Sequence, residues 1–269
     1  MCPSVGNYPL VGRNGKNIRN PIDEFGIVAA MTSSGIIGVN GRLPWDYLPT
    51  DRKIFERLTR NRILIIGRRT LLEENHGDLS HVRHAKCCIV VSKTISSLDK
   101  EPTLIKNKTL DNGDIMRFLK LVRSFDEALD LARILSEEID DDGTKDDKTT
   151  ALDNDRNNCD DENNTVIPNL FSSSKNIRCW VVGGSRLYEG ALQHKSAKEL
   201  HLSVVDAEID LVSIAIENVV RFPTKCQWED NYEIISVRRF PSSSSVVANN
   251  QNKKREPSFA YLIYQRIGQ

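Results

Sequence analysis

The sequence predicts an α/β fold: one domain with a mostly parallel central sheet, helices on both of its faces and a C-terminal antiparallel hairpin. Two patterns carry that reading. From Gly26 onward, short runs of Ile, Val and Leu alternate with amphipathic stretches of helical period, as βα units require. Near the C-terminus two strand-like runs follow each other across a polar loop, which a hairpin explains better than another crossover.

Taken in order, Gly26 to Met31 is a compact apolar run, read as a buried strand. Pro49 and Thr50 then open a helix that runs to Thr59, with Pro in its first turn. Ile63 to Ile66 is the next strand; it stops at Gly67, where Arg68-Arg69-Thr70 begin a second helix. Cys88 to Val91 is a further strand. Ser124-Phe125-Asp126-Glu127 has a hydroxyl cap with Glu three residues on, a capping box, and Leu129, Ala132, Ile134 and Leu135 continue that helix. Arg178 to Val182 reads as a strand, Ser185 to Leu192 as a helix after a Gly-Gly turn, and Glu199 to Val205 as a strand. Tyr232 to Phe240 and Phe259 to Ile267 make the terminal hairpin.

A chain of 269 residues with 39% hydrophobic content has room for one large domain or two small ones. Its polar residues are concentrated. Between Glu137 and Asn164 lie twelve acidic and three basic residues, a composition that buries too little surface to order itself. We therefore read residues 25–269 as one domain behind a flexible tail at 1–24. A disordered acidic insert at 137–175 and a polar loop at 241–258 interrupt it.

The formal charge of the whole chain is zero, so the −9 between Glu137 and Asn164 leaves +9 elsewhere. That excess suits a small polyanionic ligand. Basic residues are not interleaved with aromatics, which argues against nucleic acid, and no apolar run reaches membrane length. Cys2, Cys87, Cys88, Cys159, Cys179 and Cys226 lack metal-ligand spacing. Reduced thiols, no metal and a cytoplasmic setting are expected. Arg13, Lys16 and Arg19 precede the first acid, a bias that organelle-targeting leaders share. A monomer is the default expectation.

The most informative single residue is Asp51. In the first predicted helix the apolar residues fall at Ile54, Phe55 and Leu58. Counting back by three and four along that face lands on Asp51, so a carboxylate occupies the place of a buried apolar side chain. An ionised carboxylate buried without a partner costs several kcal/mol, on the order of the penalties known for desolvated ions. It needs a basic partner or a pocket whose ligand serves as one. A simple cap of its own helix is the rival reading.

Six blocks then occur in order: Ile36-Ile37-Gly38, Leu43-Pro44-Trp45, Asp51-x3-Phe55-x3-Thr59, Ile66-Gly67-Arg68-Arg69-Thr70, Ile89-Val90-Val91-Ser92 and Val181-Val182-Gly183-Gly184-x3-Tyr188. So arranged, they resemble the dihydrofolate reductase family, from about Ile27 to the C-terminus. The resemblance implies NADPH-dependent reduction of dihydrofolate to tetrahydrofolate, a step of one-carbon metabolism. It implies Asp51 as the catalytic acid gripping the pterin edge, Trp45 holding a water beside it, and Ser203 orienting the carboxylate. Val28, Ala29, Leu43, Phe55, Val182 and Tyr188 would complete the substrate pocket. On the cofactor side it implies Ala30, Ile37, Gly38 and Gly67. Arg68, Arg69, Thr70, Ser92 and Lys93 would clamp the 2′-phosphate. Gly183 and Gly184, joined in that family by a cis bond, would pass close to the cofactor, with Ser185, Arg186 and Leu187 at the helix start behind them.

Three departures fall on the substrate side. Lys86 stands where the family has Arg for the glutamate tail, with Arg83 nearby, and lysine cannot form the planar bidentate pair. Arg52 follows the acid where an apolar residue is usual, and its guanidinium could reach the tail instead. Leu71 replaces a common Trp, and the polar loop from Leu72 to Ala85 replaces an apolar stretch. A second reading therefore stands beside the first: a reductase-like protein that keeps NADPH but has lost folate turnover and serves as a binding or regulatory module.

Overall fold

The computed structural model describes residues 24–46, 48–72, 81–94, 119–142, 173–224, 226–245 and 254–268. Its first half contains β1 (Phe25–Thr32), β2 (Ile36–Val39), α1 (Pro49–Thr59), β3 (Ile63–Gly67), α2 (Arg68–Leu72) and β4 (Cys87–Val91). There follow β5 (Leu119–Val122), α3 (Phe125–Asp142), β6 (Cys179–Gly183), α4 (Ser185–Gln193) and β7 (Ala197–Val205). The chain closes with β8 (Val219–Arg221), β9 (Tyr232–Phe240), β10 (Ser243–Ser245), β11 (Lys254–Glu256) and β12 (Phe259–Arg266).

Eight strands form one sheet in the order β5-β4-β3-β6-β1-β7-β12-β9. From β5 to β7 every pair is parallel; β12 and β9 then add an antiparallel edge. This is the expected architecture, and alternation along the strands explains its two cores. Phe25, Ile27, Ile65 and Ile89 face α3 and α4, where Ala128, Ala132, Leu187 and Leu192 cover them. Val28, Leu64, Ile66 and Val90 face the opposite way, under Leu58 of α1 and Leu71 of α2. The adjacent Cys87 and Cys88 accordingly fall in different cores. Gly26 pairs with Trp180 across the sheet, and a Cβ there would sit 2.3 Å from the indole ring.

Half of the capping box at α3 forms as read: the Glu127 amide donates to Ser124 Oγ at 3.1 Å, while Glu127 Oε2 accepts from the Arg123 amide, one residue before the cap, at 2.8 Å. Three expectations need correction. The backbone of α3 stays helical to Asp142, so the expected insert does not begin at Glu137. Nor does it reach 175, because a 3-10 turn spans Ser173–Asn176 and Ser174 is buried. The polar loop over 241–258 contains the two-stranded ribbon β10–β11. Polar composition hid both features: the turn is held by Ser174 on Glu199 of β7, and the ribbon by the pairing of its own two strands. The rest of the insert and the tail at 1–23 lie outside the described residues.

Besides that ribbon, the short strands β2, β5 and β8 carried no readable signal. β2 pairs with β8, and Asn40 and Gly41, at φ +51° and +71°, turn the chain back from β2 as a two-residue hairpin. That turn delivers Leu43 and Trp45 to α1.

Candidate active site

Helix α1 begins at Pro49 without a side-chain cap from its own cap residue, Leu48. Its exposed amides are met from the far end of the chain. Glu256, buried at the end of β11, accepts the Thr50 amide at 2.8 Å and the Thr50 hydroxyl at 2.9 Å. A carboxylate is favourable against the positive end of a helix. With that role filled, Asp51 turns towards β7, where the Ser203 hydroxyl donates to Asp51 Oδ1. The capping reading of Asp51 is thereby replaced.

Asp51 is half-buried, behind Ile54 and Leu58 on the inward face of α1. Burial pushes its carboxyl from 3.8 up to about 6, against the pull of the Ser203 hydrogen bond, and the nearby Glu256 charge pushes it further up. The group thus exchanges its proton close to neutral pH, where a general acid is most useful.

The carboxyl opens on a cavity of about 480 Å³. Val28, Ala29 and Ala30 of β1 line it, with Ile37, Leu43 and Trp45 from the β2 side. Asp51, Arg52 and Phe55 come from α1 and Thr70 from α2; Val182, Gly183, Gly184, Ser185 and Tyr188 come from the β6–α4 junction. The cavity therefore sits beyond the carboxyl ends of the parallel strands β3 and β6, where open α/β sheets bind ligands. Tyr188 ties α4 to β1 by donating to the Val28 carbonyl at 2.9 Å.

At the β6–α4 junction, Gly183 and Gly184 have φ of +156° and +86°, values that favour glycine. A Cβ on Gly183 would lie 2.8 Å from Thr70 Cγ2, so α2 and the turn are in contact. A Cβ on Gly67 would likewise reach the Gly183 carbonyl at 3.4 Å. The cis bond implied by resemblance is absent among the described residues.

The remaining predicted residues lie off the cavity wall. Ser203 acts on it through Asp51. Arg69, Lys93 and Arg186 are exposed and Arg68 half-buried around the α2 and α4 starts. Ser92 is buried at the end of β4, its hydroxyl 3.4 Å from that of Thr94. Gly38 packs against Val220, and Leu187 belongs to the core. Lys86 is exposed just before β4 and does not line the cavity. Arg52 reaches the cavity, but its guanidinium pairs with Glu56 at 3.0 Å, one helical turn on. The ligand tail expected at Arg52 and Lys86 therefore meets no joint clamp.

Several wall residues escaped the sequence reading: Leu48, Pro49, Ile54, Ile66, His81, Val82, Val220 and Tyr261. Neither Tyr261, set across from Ser203 by the β7–β12 register, nor Val220, in a three-residue strand, left a signal in the sequence.

No curated protein matches the chain. Among solved structures it is similar to dihydrofolate reductase from Enterococcus faecalis, complexed with NADP(H) and RAB-propyl. That likeness has a TM-score of 0.49 and 16% identity, over 92% of this chain and 98% of the other. Residues 24–108, the segment that holds Asp51, Trp45 and strands β1 to β4, match the model of the dihydrofolate reductase family.

Proposed function

We propose that the protein reduces dihydrofolate to tetrahydrofolate with NADPH. The observation that carries this reading is the Asp51–Ser203 pair. It is a carboxyl tuned to about 6 that faces an apolar-walled cavity large enough for a bicyclic ring. The matched family segment contains Asp51.

The chain's own groups suit this cofactor. Gly183 and Gly184 keep the floor of the cavity free of side chains where a Cβ on Gly183 would strike Thr70. Ser185 opens a nine-residue helix whose cap residue, Gly184, makes no side-chain cap hydrogen bond, a favourable site for phosphate. Arg68, Arg69, Lys93 and Arg186 supply cationic donors around these helix starts, chemistry suited to a further phosphate. When bound, NADPH supplies the hydride. Asp51 recognises the amidine-like edge of the pterin and holds the proton that the neighbouring nitrogen needs. Ser203 fixes the carboxyl's direction. Trp45, Phe55 and Ile54 exclude water from the ring's faces.

The test is an absorbance assay of NADPH loss with purified full-length protein and dihydrofolate. Turnover that disappears in Asp51→Asn supports the reading; NADPH binding without any dihydrofolate-dependent loss would overturn it. A second reading, a reductase-like binding module, draws on the exposed Lys86 and the Arg52–Glu56 pair, since neither Lys86 nor Arg52 offers a glutamate tail a bidentate partner.

A further inference from the structure

Strand β7 presents Glu199, His201 and Ser203 at every second position, so all three side chains share the α1 face of the sheet. Each is at most 1% exposed. Burying a carboxylate, an imidazole and a hydroxyl side by side is costly unless all are hydrogen-bonded. Glu199 and His201 do not themselves line the cavity, and the reaction proposed above makes no use of them.

Their contacts form a directed chain. Ser174, from the 3-10 turn before β6, donates its hydroxyl to Glu199 Oε2 at 2.5 Å. His201 Nε2 lies 3.0 Å from the same carboxyl oxygen and 3.1 Å from Ser174 Oγ. His201 Nδ1 lies 2.7 Å from the Tyr261 hydroxyl. Trp180 packs its ring edge-on to the imidazole at 5.1 Å and holds it in place.

The proton positions follow from this arrangement. Ser174 gives its one proton to Glu199, so His201 Nε2 faces two acceptor oxygens and carries the ring proton. Burial holds the His201 pKa below the ordinary histidine range, even with Glu199 opposing, so the ring is neutral and Nδ1 is bare. The Tyr261 hydroxyl must therefore donate to Nδ1. A phenol has one proton, and this one points away from the cavity.

Tyr261 is also the cross-strand partner of Ser203, lines the same cavity as Asp51, and feels the Asp51 charge. We propose that Glu199 and His201 are positioning residues that lock the Tyr261 hydroxyl proton away from Asp51, leaving Ser203 to donate to that carboxylate. The lock presents Tyr261 to the cavity as an acceptor. Breaking it frees the phenol to donate to the ionised Asp51, which would favour the charged form and move the carboxyl back towards its ordinary range. The other groups that face Asp51 stay as they are: Glu256 beyond Thr50, Asp46 and His81 on the cavity wall, and Arg52 held by Glu56.

The test follows the Asp51 carboxyl itself, by carbon NMR titration of the full chain labelled at aspartate, with Asp51→Asn supplying the assignment. It needs no turnover, so it stands apart from the dihydrofolate assay. In His201→Phe the midpoint should fall by roughly half a unit to one unit. In His201→Phe combined with Tyr261→Phe that fall should vanish, because no phenol proton remains. Tyr261→Phe alone, a conservative change that is informative even if His201→Phe fails to fold, should leave the Asp51 midpoint where it is. A raised midpoint in Tyr261→Phe would mean that the hydroxyl already donates to Asp51 and would overturn the proposal. So would a His201→Phe midpoint that does not move, or a fall that persists in the double variant.

Discussion

Glu256 and Thr50 stand 206 positions apart in sequence, yet Glu256 closes the N-terminus of the helix that carries Asp51. Its two oxygens take the Thr50 amide and hydroxyl, and its charge is felt by Asp51 one residue further on. One carboxylate thus positions the helix and tunes its neighbour.

The Glu256→Gln variant separates these effects. Glutamine keeps an acceptor for Thr50 but removes the charge. The Asp51 midpoint should fall, since the Glu256 charge raises it. Stability should drop by about 0.5–1 kcal/mol for the lost charge at a helix end. Denaturant unfolding and an aspartate titration read the two separately; an unmoved Asp51 midpoint would contradict the electrostatic link.

Asp51→Asn should lower kcat for dihydrofolate at neutral pH by at least ~100-fold, the usual range for lost acid–base assistance, with NADPH affinity nearly unchanged. For the unmodified protein, kcat/KM should be flat at low pH and decline as pH rises through about 6, where Asp51 loses its proton. A profile that rises through that region would assign the opposite protonation state.

The same residue gives a stability signature with a definite sign. Its folded pKa, about 6, lies above its ordinary 3.8, so between those values the folded protein holds a proton that the unfolded chain has released. Stability contributed by Asp51 is full below 3.8 and is lost as pH rises through about 6. Asp51→Asn should therefore raise the melting temperature more at pH 8 than at pH 4, by a difference worth at most about 3 kcal/mol. Equal effects at both pH values would show that the carboxyl is not desolvated.

Cofactor choice follows from the cationic helix starts. NADPH should bind at least ~10-fold more tightly than NADH, because losing charge-assisted hydrogen bonds to one phosphate costs about 1.5–3 kcal/mol. Arg69→Ala should shrink that ratio by weakening NADPH alone. Superimposable titrations for the two cofactors would refute the clamp.

Arg52, paired with Glu56, should not grip a substrate tail. Arg52→Leu is expected to change the Michaelis constants for dihydrofolate and dihydropteroate, which lacks the glutamate, by the same factor. A larger rise for dihydrofolate would return the tail contact to Arg52.

The sequence by itself determined the order of the longer strands and helices, because buried strands and amphipathic helices write their periods locally; β2, β5, β8 and the β10–β11 ribbon escaped it. It also singled out Asp51, since a carboxylate on the apolar face of α1 breaks a period that Ile54 and Leu58 otherwise keep. Family resemblance had named Ser203 beside that carboxylate, but tertiary structure alone decided the rest of its surroundings. Tyr261 and Glu256 come to its side of the fold from β12 and β11 through strand pairing and register, and neither leaves a periodic trace. The same holds for Ser174, which composition assigned to a polar insert and the fold buries against Glu199. A polar residue's local pattern reports only that it is polar; whether it meets water or a buried partner depends on which distant strand lies beside it.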